Sequence, residues 1–251
     1  MTTICTGFNP KGYEDYGANF LESFDQYWPK AVRLQCYVET APNGFVPRGG
    51  ERSLWTCRGA KEFIERNSSN LQRCGRAPTP GWRPKDHSRG YSFKWDAVKF
   101  SRQCFIPEAA SDELEDGEVL AWFDADVVTF RPVPGEFVER TLGGYDLCYL
   151  GRLNMHSEIG FWAVRLSQKT RAFLASLAAL YRDDVIFTLR EWHSAFAFDY
   201  VRSKAEYLSV YTLTPRGMGH VWFQSPLAQY TDHLKGERRK LMGKSPERKI
   251  G

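Results

Sequence analysis

The chain has 251 residues, of which 42% are hydrophobic and 25% are charged, an ordinary balance for a soluble globular protein. This composition excludes an intrinsically disordered or fibrous chain. No stretch reaches the roughly 18 uncharged apolar residues that a membrane-spanning helix needs, and the N-terminus lacks the basic-then-apolar layout of a signal peptide. We therefore expect a cytoplasmic protein without a membrane span.

The formal net charge of +4 is distributed unevenly along the chain. Residues 235–251 contain seven basic and two acidic side chains, so this tail carries +5 and the remaining 234 residues sum to −1. A second basic stretch, residues 73–102, contains eight Lys or Arg against two Asp. These two segments are where we expect a polyanionic partner to bind. The six cysteines form no CxxC pair, which favours buried free thiols over disulfides or a zinc site.

Apolar periodicity predicts alternating strands and helices. Strands are predicted at residues 2–8, 32–38, 119–126, 127–130, 146–150, 159–166 and 207–213. Helices are predicted at residues 16–28, 60–66, 94–110, 168–182 and 190–204. We expect Pro29 to end the first helix and Pro107 to limit the third. The opening strand, helix and strand are typical of a parallel α/β sheet.

A long loop is predicted at residues 73–92, where three prolines and three glycines stand among many charges. Loops of this length are usually functional or disordered. Trp82 and Tyr91 within it favour a binding role, and a solvated insertion is the alternative.

Asp124 and Asp126 follow the most apolar strand, at the sheet edge where open α/β sheets bind their ligands. Residues i and i+2 of an extended strand point the same way, so both carboxylates can converge on one ligand. Two close carboxylates stay ionised only when a cation lies between them, and Mg²⁺ or Mn²⁺ completed by diphosphate oxygens meets that need. The alternative is that the aspartates cap a turn before Phe130.

The segment VLAWFDADVVTFRPVP resembles the donor-site motif of nucleotide-sugar-dependent glycosyltransferases with the GT-A fold. The resemblance implies a single α/β domain with a mixed sheet flanked by helices, a UDP-sugar donor and a Mn²⁺ or Mg²⁺ ion. The metal ligands implied are Asp124, Asp126 and His233, since HLKG at residues 233–236 resembles the H-x-x-G segment of retaining members. The donor-binding residues implied are Thr6, Gly7, Phe8, Asn9, Lys94, Asp96, Lys99, Asp124, Lys235 and Gly236. Residues 1–232 would form the GT-A domain and 233–251 a basic segment completing the donor site.

Two further segments are expected on the acceptor side. Residues 156–162 place His156 and Glu158 just before a strand, and residues 190–194 place Trp192 and His193 before an apolar helix. An inverting enzyme needs a carboxylate base. Glu191, Asp199 and Glu158 are the candidates for that base, and Asp126, Glu191 and Asp199 are the catalytic residues expected. A helix-terminal acid is the structural alternative for Glu191, and a solvated helix face is the alternative for Asp199. HLKG lacks the lysine-proline-tryptophan ending of the closest retaining relatives, which leaves the stereochemistry open.

The acceptor predicted from the sequence is a 5-hydroxymethylpyrimidine in double-stranded DNA. Clustered Lys and Arg supply most non-specific affinity for DNA. The layout also resembles glycosyltransferases of bacteriophages, some of which modify phage DNA, and this implies the cytoplasm of an infected host. Such an enzyme has to flip its base out of the duplex, and Trp82, Tyr91 or Trp192 would stack in the vacated space. A glycan, lipid or protein acceptor, a non-catalytic binding module and nucleotidyl or phosphoryl transfer are the alternatives.

Overall fold

The computed structural model describes residues 1–40, 50–78, 90–215 and 217–248. Nine strands lie in this part of the chain. They are β1 (Thr2–Phe8), β2 (Arg33–Val38), β3 (Glu51–Ser53), β4 (Val119–Phe123), β5 (Val127–Thr129), β6 (Leu147–Leu150), β7 (Glu158–Arg165), β8 (Val210–Thr212) and β9 (Thr231–His233). The predictions of β1, β2, β4, β5, β6, β7 and β8 are confirmed to within three residues at each end, whereas β3 and β9 were not predicted.

Seven of the strands form one mixed sheet in the order β3-β2-β1-β4-β7-β6-β8. Strands β3, β2, β1 and β4 run parallel, β7 is antiparallel to both β4 and β6, and β6 is parallel to β8. The other two strands, β5 and β9, form a separate antiparallel ribbon. Because β1 and β4 are parallel neighbours, their carboxyl ends and the residues that follow meet at one edge of the sheet.

Helices cover both faces of the sheet. They are α1 (Pro10–Gly12), α2 (Ala18–Tyr27), α3 (Ala60–Asn67), α4 (Ala97–Phe100), α5 (Arg102–Asp112), α6 (Phe137–Leu142), α7 (Gln168–Arg182), α8 (Ser194–Arg202) and α9 (Glu237–Met242), and a π-helical turn spans Tyr13–Gly17. In β4, Leu120 and Trp122 join the core beneath α3, α5, α7 and α8, while Ala121 and Phe123 join the core beneath α2 and α6. A strand buried on both faces reads as a continuous apolar run, which is why VLAWF was the strongest strand signal.

Three predictions about two of the helices differ from the structure. Pro107 does not limit its helix, since α5 continues to Asp112 with this proline buried inside it. The predicted helix 94–110 is divided, because Asp96 caps α4 by accepting a hydrogen bond from the Lys99 amide and α5 begins only at Arg102. The predicted helix 190–204 begins at Ser194, where His193 serves as the N-cap. All six cysteines are free thiols and five of them are buried, as the sequence predicts.

The C-terminal segment folds back onto the domain. Strand β9 crosses the boundary expected between residues 232 and 233. The fully buried carboxylate of Asp232 accepts hydrogen bonds from the Ser245 amide at 2.8 Å and the Ser245 hydroxyl at 2.6 Å. The Arg248 guanidinium lies 4.5 Å above the Phe130 ring. This part of the tail is therefore docked, whereas the sequence left open that it trails into solvent.

Candidate active site

A cleft of about 970 Å³ opens where β1 and β4 end. Its walls combine residues from the beginning, middle and end of the chain. They include Gly7, Phe8, Asn9, Tyr16, Asp96, Lys99, Arg102, Gln103, Trp122, Asp124, Asp126, Arg152, His156, Glu158, His193, His233 and Lys235. Twelve of the expected site residues line this one cleft, which lies at the sheet edge where open α/β sheets bind their ligands.

Asp124, Asp126 and His233 converge inside the cleft. The Nε2 atom of His233 lies 3.0 Å from Asp126 Oδ1 and 3.7 Å from Asp124 Oδ2. The convergence has a different origin from the one expected, because β4 ends at Phe123 and both aspartates lie in the turn before β5. The orientation of the two carboxylates is therefore set by the turn and by the residues that contact it, and not by the alternation of side chains along a strand.

The ribbon of β5 and β9 brings His233 to the aspartates. Val127 is paired with His233, and the Leu234 amide donates to the Asp126 carbonyl at 2.9 Å. A backbone hydrogen bond of 2.9 Å from the Asp124 amide to the Gly160 carbonyl ties the turn to β7. The site is thus held by backbone pairing on both sides.

Two neighbours fix the orientation of the Asp124 carboxylate. Gln103 Nε2 and Trp122 Nε1 donate to its Oδ1 atom at 2.7 and 2.8 Å, which leaves Oδ2 directed towards His233. Burial raises the pKa of Asp124, and the adjacent charge of Asp126 raises that pKa further. Two carboxylates pressed together in this way are relieved by a cation between them.

The residues present fit a divalent cation. Two carboxylates and one imidazole are a donor set that suits Mn²⁺, and a set of mostly oxygen ligands also suits Mg²⁺. His233 is 1% exposed and its Nε2 atom faces the aspartates, which is the direction required of a metal ligand. Close packing holds the ring, with Trp222 at a centroid distance of 4.9 Å on one side and Gly160 on another.

The expected donor-binding residues fall into three groups. Gly7, Phe8, Asn9, Asp96, Lys99 and Lys235 line the cleft with Asp124. Thr6 is fully buried beneath it, and Gly236 lies outside its wall. Lys94 belongs to the acceptor-side cluster, where its Nζ lies 3.8 Å from Glu191. Close packing also favours glycine at position 7, since a Cβ atom there would lie 2.9 Å from the Tyr37 carbonyl oxygen.

The acceptor-side residues form a second cluster on the same cleft. One oxygen of Glu191, Oε2, lies 3.2 Å from His156 Nε2 and 2.9 Å from His193 Nε2. His156 Nδ1 lies 3.6 Å from Asp199, which also accepts hydrogen bonds from the Ser157 amide and hydroxyl. The Phe196 amide donates to His193 Nδ1, so the Nε2 of a neutral His193 carries the proton and donates to Glu191.

These contacts set the protonation of the cluster. Hydrogen bonds to Asp199 and Glu191 raise the pKa of His156 to about 9, so it is an imidazolium at neutral pH. Hydrogen bonds from His156 and His193 hold the pKa of Glu191 well below its usual value. Burial by itself would raise the pKa of Asp199, but hydrogen bonds from His156 and Ser157 outweigh it and lower the pKa. Glu191 and Asp199 are therefore weak bases in this arrangement.

Glu158 and Trp192 make contacts other than those expected with an acceptor. Glu158 is 3% exposed and accepts hydrogen bonds from Lys235 Nζ at 2.9 and 3.1 Å, and it also forms an ion pair with Arg152. The Trp192 indole packs against Phe187 and donates to the Leu189 carbonyl, outside the wall of the cleft. Of the other aromatic residues proposed to stack on a base, the Tyr91 hydroxyl donates to Asp96 at 2.9 Å, and Trp82 lies outside the described residues.

Four residues of the site were not predicted from the sequence, namely Gln103, Trp122, Arg152 and Gly160. Trp122 had a usable signal, because it precedes Asp124 by only two positions and its indole nitrogen donates to that aspartate. Gln103 is a polar residue on an otherwise apolar helix face, which is a weak signal. Arg152 and Gly160 act only through residues that are distant in sequence or across a strand pair, and no local pattern indicates them.

No helix in the described ranges is both long and apolar enough to cross a membrane. No protein-family profile and no curated protein matches this chain.

Solved structures with a similar fold were found at low sequence identity. A crystal structure of a glycosyltransferase involved in the glycosylation of the major capsid of PBCV-1 superposes with a TM-score of 0.51 at 12% identity, covering 96% of this chain and 98% of that chain. Mouse xyloside xylosyltransferase 1 gives a TM-score of 0.48 at 7% identity over 84% of both chains. The galactosyltransferase LgtC gives 0.40 at 10% identity over 85% of this chain and 73% of that chain. The chain has a mixed seven-stranded sheet between two layers of helices, and the first of these solved structures matches 96% of it. These two observations show that the chain has the GT-A fold of glycosyltransferases in a single α/β domain.

Proposed function

We propose that this protein is a metal-dependent glycosyltransferase that moves a sugar from a nucleoside-diphosphate sugar to a hydroxyl acceptor. The observation that carries the proposal is that the carboxylates of Asp124 and Asp126 both lie within 3.7 Å of His233 Nε2. The three side chains meet in a large cleft at the edge of the sheet. UDP is the nucleotide expected from the sequence, and the proposal covers hexosyl and pentosyl donors alike.

The donor half of the reaction needs positive charge where the diphosphate departs. Breaking the sugar–phosphate bond places negative charge on the leaving group, and a divalent cation offsets it when bound. Asp124, Asp126 and His233 would hold Mn²⁺ or Mg²⁺. Lys99 and Lys235, which line the same cleft, are proposed to contact the phosphates or the sugar. The segment 233–251 then completes the donor site, because it supplies both His233 and Lys235.

The acceptor hydroxyl must lose a proton, and the three carboxylates expected to remove it are already engaged. Glu191 and Asp199 have lowered pKa values for the reasons given above, and Glu158 is paired with Lys235 and Arg152. We propose that an oxygen of the departing diphosphate accepts the proton, which goes with retention of the anomeric configuration. Product NMR tests this directly, and an inverted product would restore a carboxylate base.

Donor hydrolysis tests the reaction class. The purified protein is incubated with a panel of sugar nucleotides in Mn²⁺, Mg²⁺ or excess chelator, and released nucleotides are separated by chromatography. We expect nucleoside diphosphate to appear with metal and to fall at least 100-fold in Asp126→Asn. Asp116→Asn, which changes an exposed aspartate paired with Arg171, is the matched control. Monophosphate with pyrophosphate would indicate nucleotidyl transfer, and no product from any donor would indicate a binding module.

The acceptor proposed is a 5-hydroxymethylated pyrimidine of DNA, and its support is the basic content of the cleft rim and the tail. Lys11, Arg76, Lys99 and Arg102 line the cleft. In the tail, the Arg239 and Arg248 side chains contact Glu247 and Asp232, so these two charges are partly neutralised by the protein itself. The basic stretch of residues 73–102 lies partly outside the described residues.

A mass-spectrometric assay decides the acceptor. The enzyme and active donor are incubated with double-stranded DNA containing hydroxymethylcytosine, hydroxymethyluracil or only unmodified bases, and digested nucleosides are examined for a sugar-sized mass gain. A gain on a hydroxymethylated base and none on the unmodified DNA supports the proposal. No gain on any DNA, alongside active donor hydrolysis, rejects it and leaves a glycan, lipid or protein acceptor.

A further inference from the structure

Glu158 is a buried carboxylate that neither donor chemistry nor acceptor chemistry explains. It begins β7 and shares a face of that strand with Gly160, two residues further on. Its Oε1 atom accepts from the Gly160 amide at 3.3 Å and from Lys235 Nζ at 3.1 Å, and its other oxygen contacts Lys235 and Arg152. With 3% exposure it has little access to an acceptor.

The imidazole of His233 has one ring nitrogen without a partner. Its Nδ1 atom is buried and forms no hydrogen bond to any described residue, although Glu158 Oε1 lies 4.0 Å away. Nε2 faces the two aspartates on the opposite side of the ring. A neutral histidine that offers Nε2 to a metal must carry its proton on Nδ1, and that proton needs an acceptor. Among the described neighbours of Nδ1, Glu158 is the carboxylate in position to accept it.

We propose that Glu158 positions His233 for metal binding, by accepting the Nδ1 proton when Nε2 binds the ion, and that it holds Lys235 and Arg152 beside the site. The inference rests on the proposed metal-dependent function. It assigns Glu158 as a positioning residue rather than as an acceptor contact or a general base. A closing movement of about 1 Å brings the 4.0 Å separation into hydrogen-bonding range.

Direct ligation by Glu158 is the competing arrangement. Asp124, Glu158 and His233 each offer a donor atom within 4.8 Å of the other two, and an ion held by this set would compete with Lys235 and Arg152 for the Glu158 carboxylate. The Nε2 atom itself faces Asp124 and Asp126. The two arrangements differ in what removal of the Glu158 charge does to metal affinity, since losing an outer partner of a ligand typically weakens binding about 10–100-fold.

The test measures Mn²⁺ binding to the full chain without donor, by EPR of free Mn²⁺, for wild type and four variants. One of them, Asp126→Asn, removes a proposed ligand and sets the level expected when a ligand is lost. Glu158→Gln removes the charge, and Glu158→Asp keeps the charge but shortens the side chain by about 1.5 Å. Glu108→Gln is the matched control, because Glu108 is also a buried carboxylate with two arginine partners, Arg58 and Arg182, and lies outside the cleft. Thermal melting without metal reports the structural cost of each change.

We expect Glu158→Gln and Glu158→Asp to weaken Mn²⁺ binding about 10–100-fold, and Glu108→Gln to bind as the wild type does while losing comparable thermal stability. Unchanged Mn²⁺ binding by both Glu158 variants overturns this inference alone. Loss of binding as complete as in Asp126→Asn also overturns it, because Glu158 would then be a ligand. Failure of the wild type itself to bind Mn²⁺ overturns the metal-dependent function as well, so the two failures are distinguishable.

Discussion

Gly160 is the residue at which a single methyl group tests the geometry of the metal site. A Cβ atom at this position would lie 2.6 Å from Cε1 and 2.9 Å from Nδ1 of His233. The backbone of Gly160 cannot retreat freely, since β7 is paired with β4 and the Gly160 carbonyl accepts from the Asp124 amide. We therefore expect Gly160→Ala to displace the imidazole ring.

The size of the displacement follows from the contact distances. Restoring an ordinary contact of 3.4 Å from 2.6 Å requires a movement of 0.8 Å, and Trp222 packs against the ring at a centroid distance of 4.9 Å. Overpacking of this kind costs about 1–3 kcal/mol of unfolding free energy. Metal–ligand distances are held to about 0.2 Å, so a movement four times larger removes His233 from effective ligation.

The assay is denaturant unfolding of wild type, Gly160→Ala and Gly144→Ala, each with and without Mn²⁺. Gly144 is the control because an added Cβ there meets no atom within 4 Å. At an Mn²⁺ concentration of 100 times its dissociation constant, the wild type should gain about 2.7 kcal/mol. A variant with 100-fold weaker binding should gain only about 0.4 kcal/mol. Wild-type stability and a full Mn²⁺ gain in Gly160→Ala would refute the packing argument.

Three further predictions concern the second cluster, the tail and the core. The pKa of His156 is raised from 6.5 to about 9, so its contribution to the unfolding free energy is complete below pH 6.5 and is lost as the pH rises through 9. Urea unfolding across this range should show a falling unfolding free energy in the wild type and a flatter pH profile in His156→Gln. Ser245→Ala removes one of the two hydrogen bonds that Ser245 donates to buried Asp232, and it should lower the unfolding free energy by about 1–3 kcal/mol. Proteolysis of the tail should become faster, and an unchanged rate of cleavage would show that the docking of the tail depends on other contacts. Trp28→Phe removes the buried hydrogen bond of 2.9 Å to Thr129 and should lower the unfolding free energy by about 1–2 kcal/mol, measured by denaturant titration. Thr129→Val leaves the buried Trp28 Nε1–H without its acceptor and should cost about 1–3 kcal/mol, and wild-type stability in Thr129→Val would show that this hydrogen bond contributes nothing.

The elements predicted well are those whose signal is local. The five residues of β4 are apolar because both faces of this strand are buried. Helix α7 follows the N-cap Ser167 and has a regular apolar face, so the bounds of α7 were predicted without error. Strand β9 has only three residues, too few to show a period of two, and it is a strand because β5 lies beside it. Pro107 was misjudged for a related reason, since burial of α5 in the core outweighs the lost hydrogen bond.

The residues of the candidate site also differ in whether a local sequence pattern indicates them. Asp124, Asp126 and His233 were identified from short motifs, and the structure brings them together. The partners that decide their chemistry come from distant positions, as with Glu158 and Lys235, which are 77 residues apart. Charge state depends on contacts of this kind, so the lowered pKa values of Glu191 and Asp199 were not accessible from the sequence.

The pairing of β5 with β9 makes the position of His233 sensitive to the number of residues in β9. Val127 faces His233 in a fixed register, so deleting or inserting one residue within β9 would bring Leu234 or Asp232 opposite Val127 and turn the imidazole to the other face of the ribbon. A substitution at Thr231 or Asp232 leaves the register intact. We therefore expect single-residue insertions and deletions in this ribbon to abolish metal binding even where the fold survives.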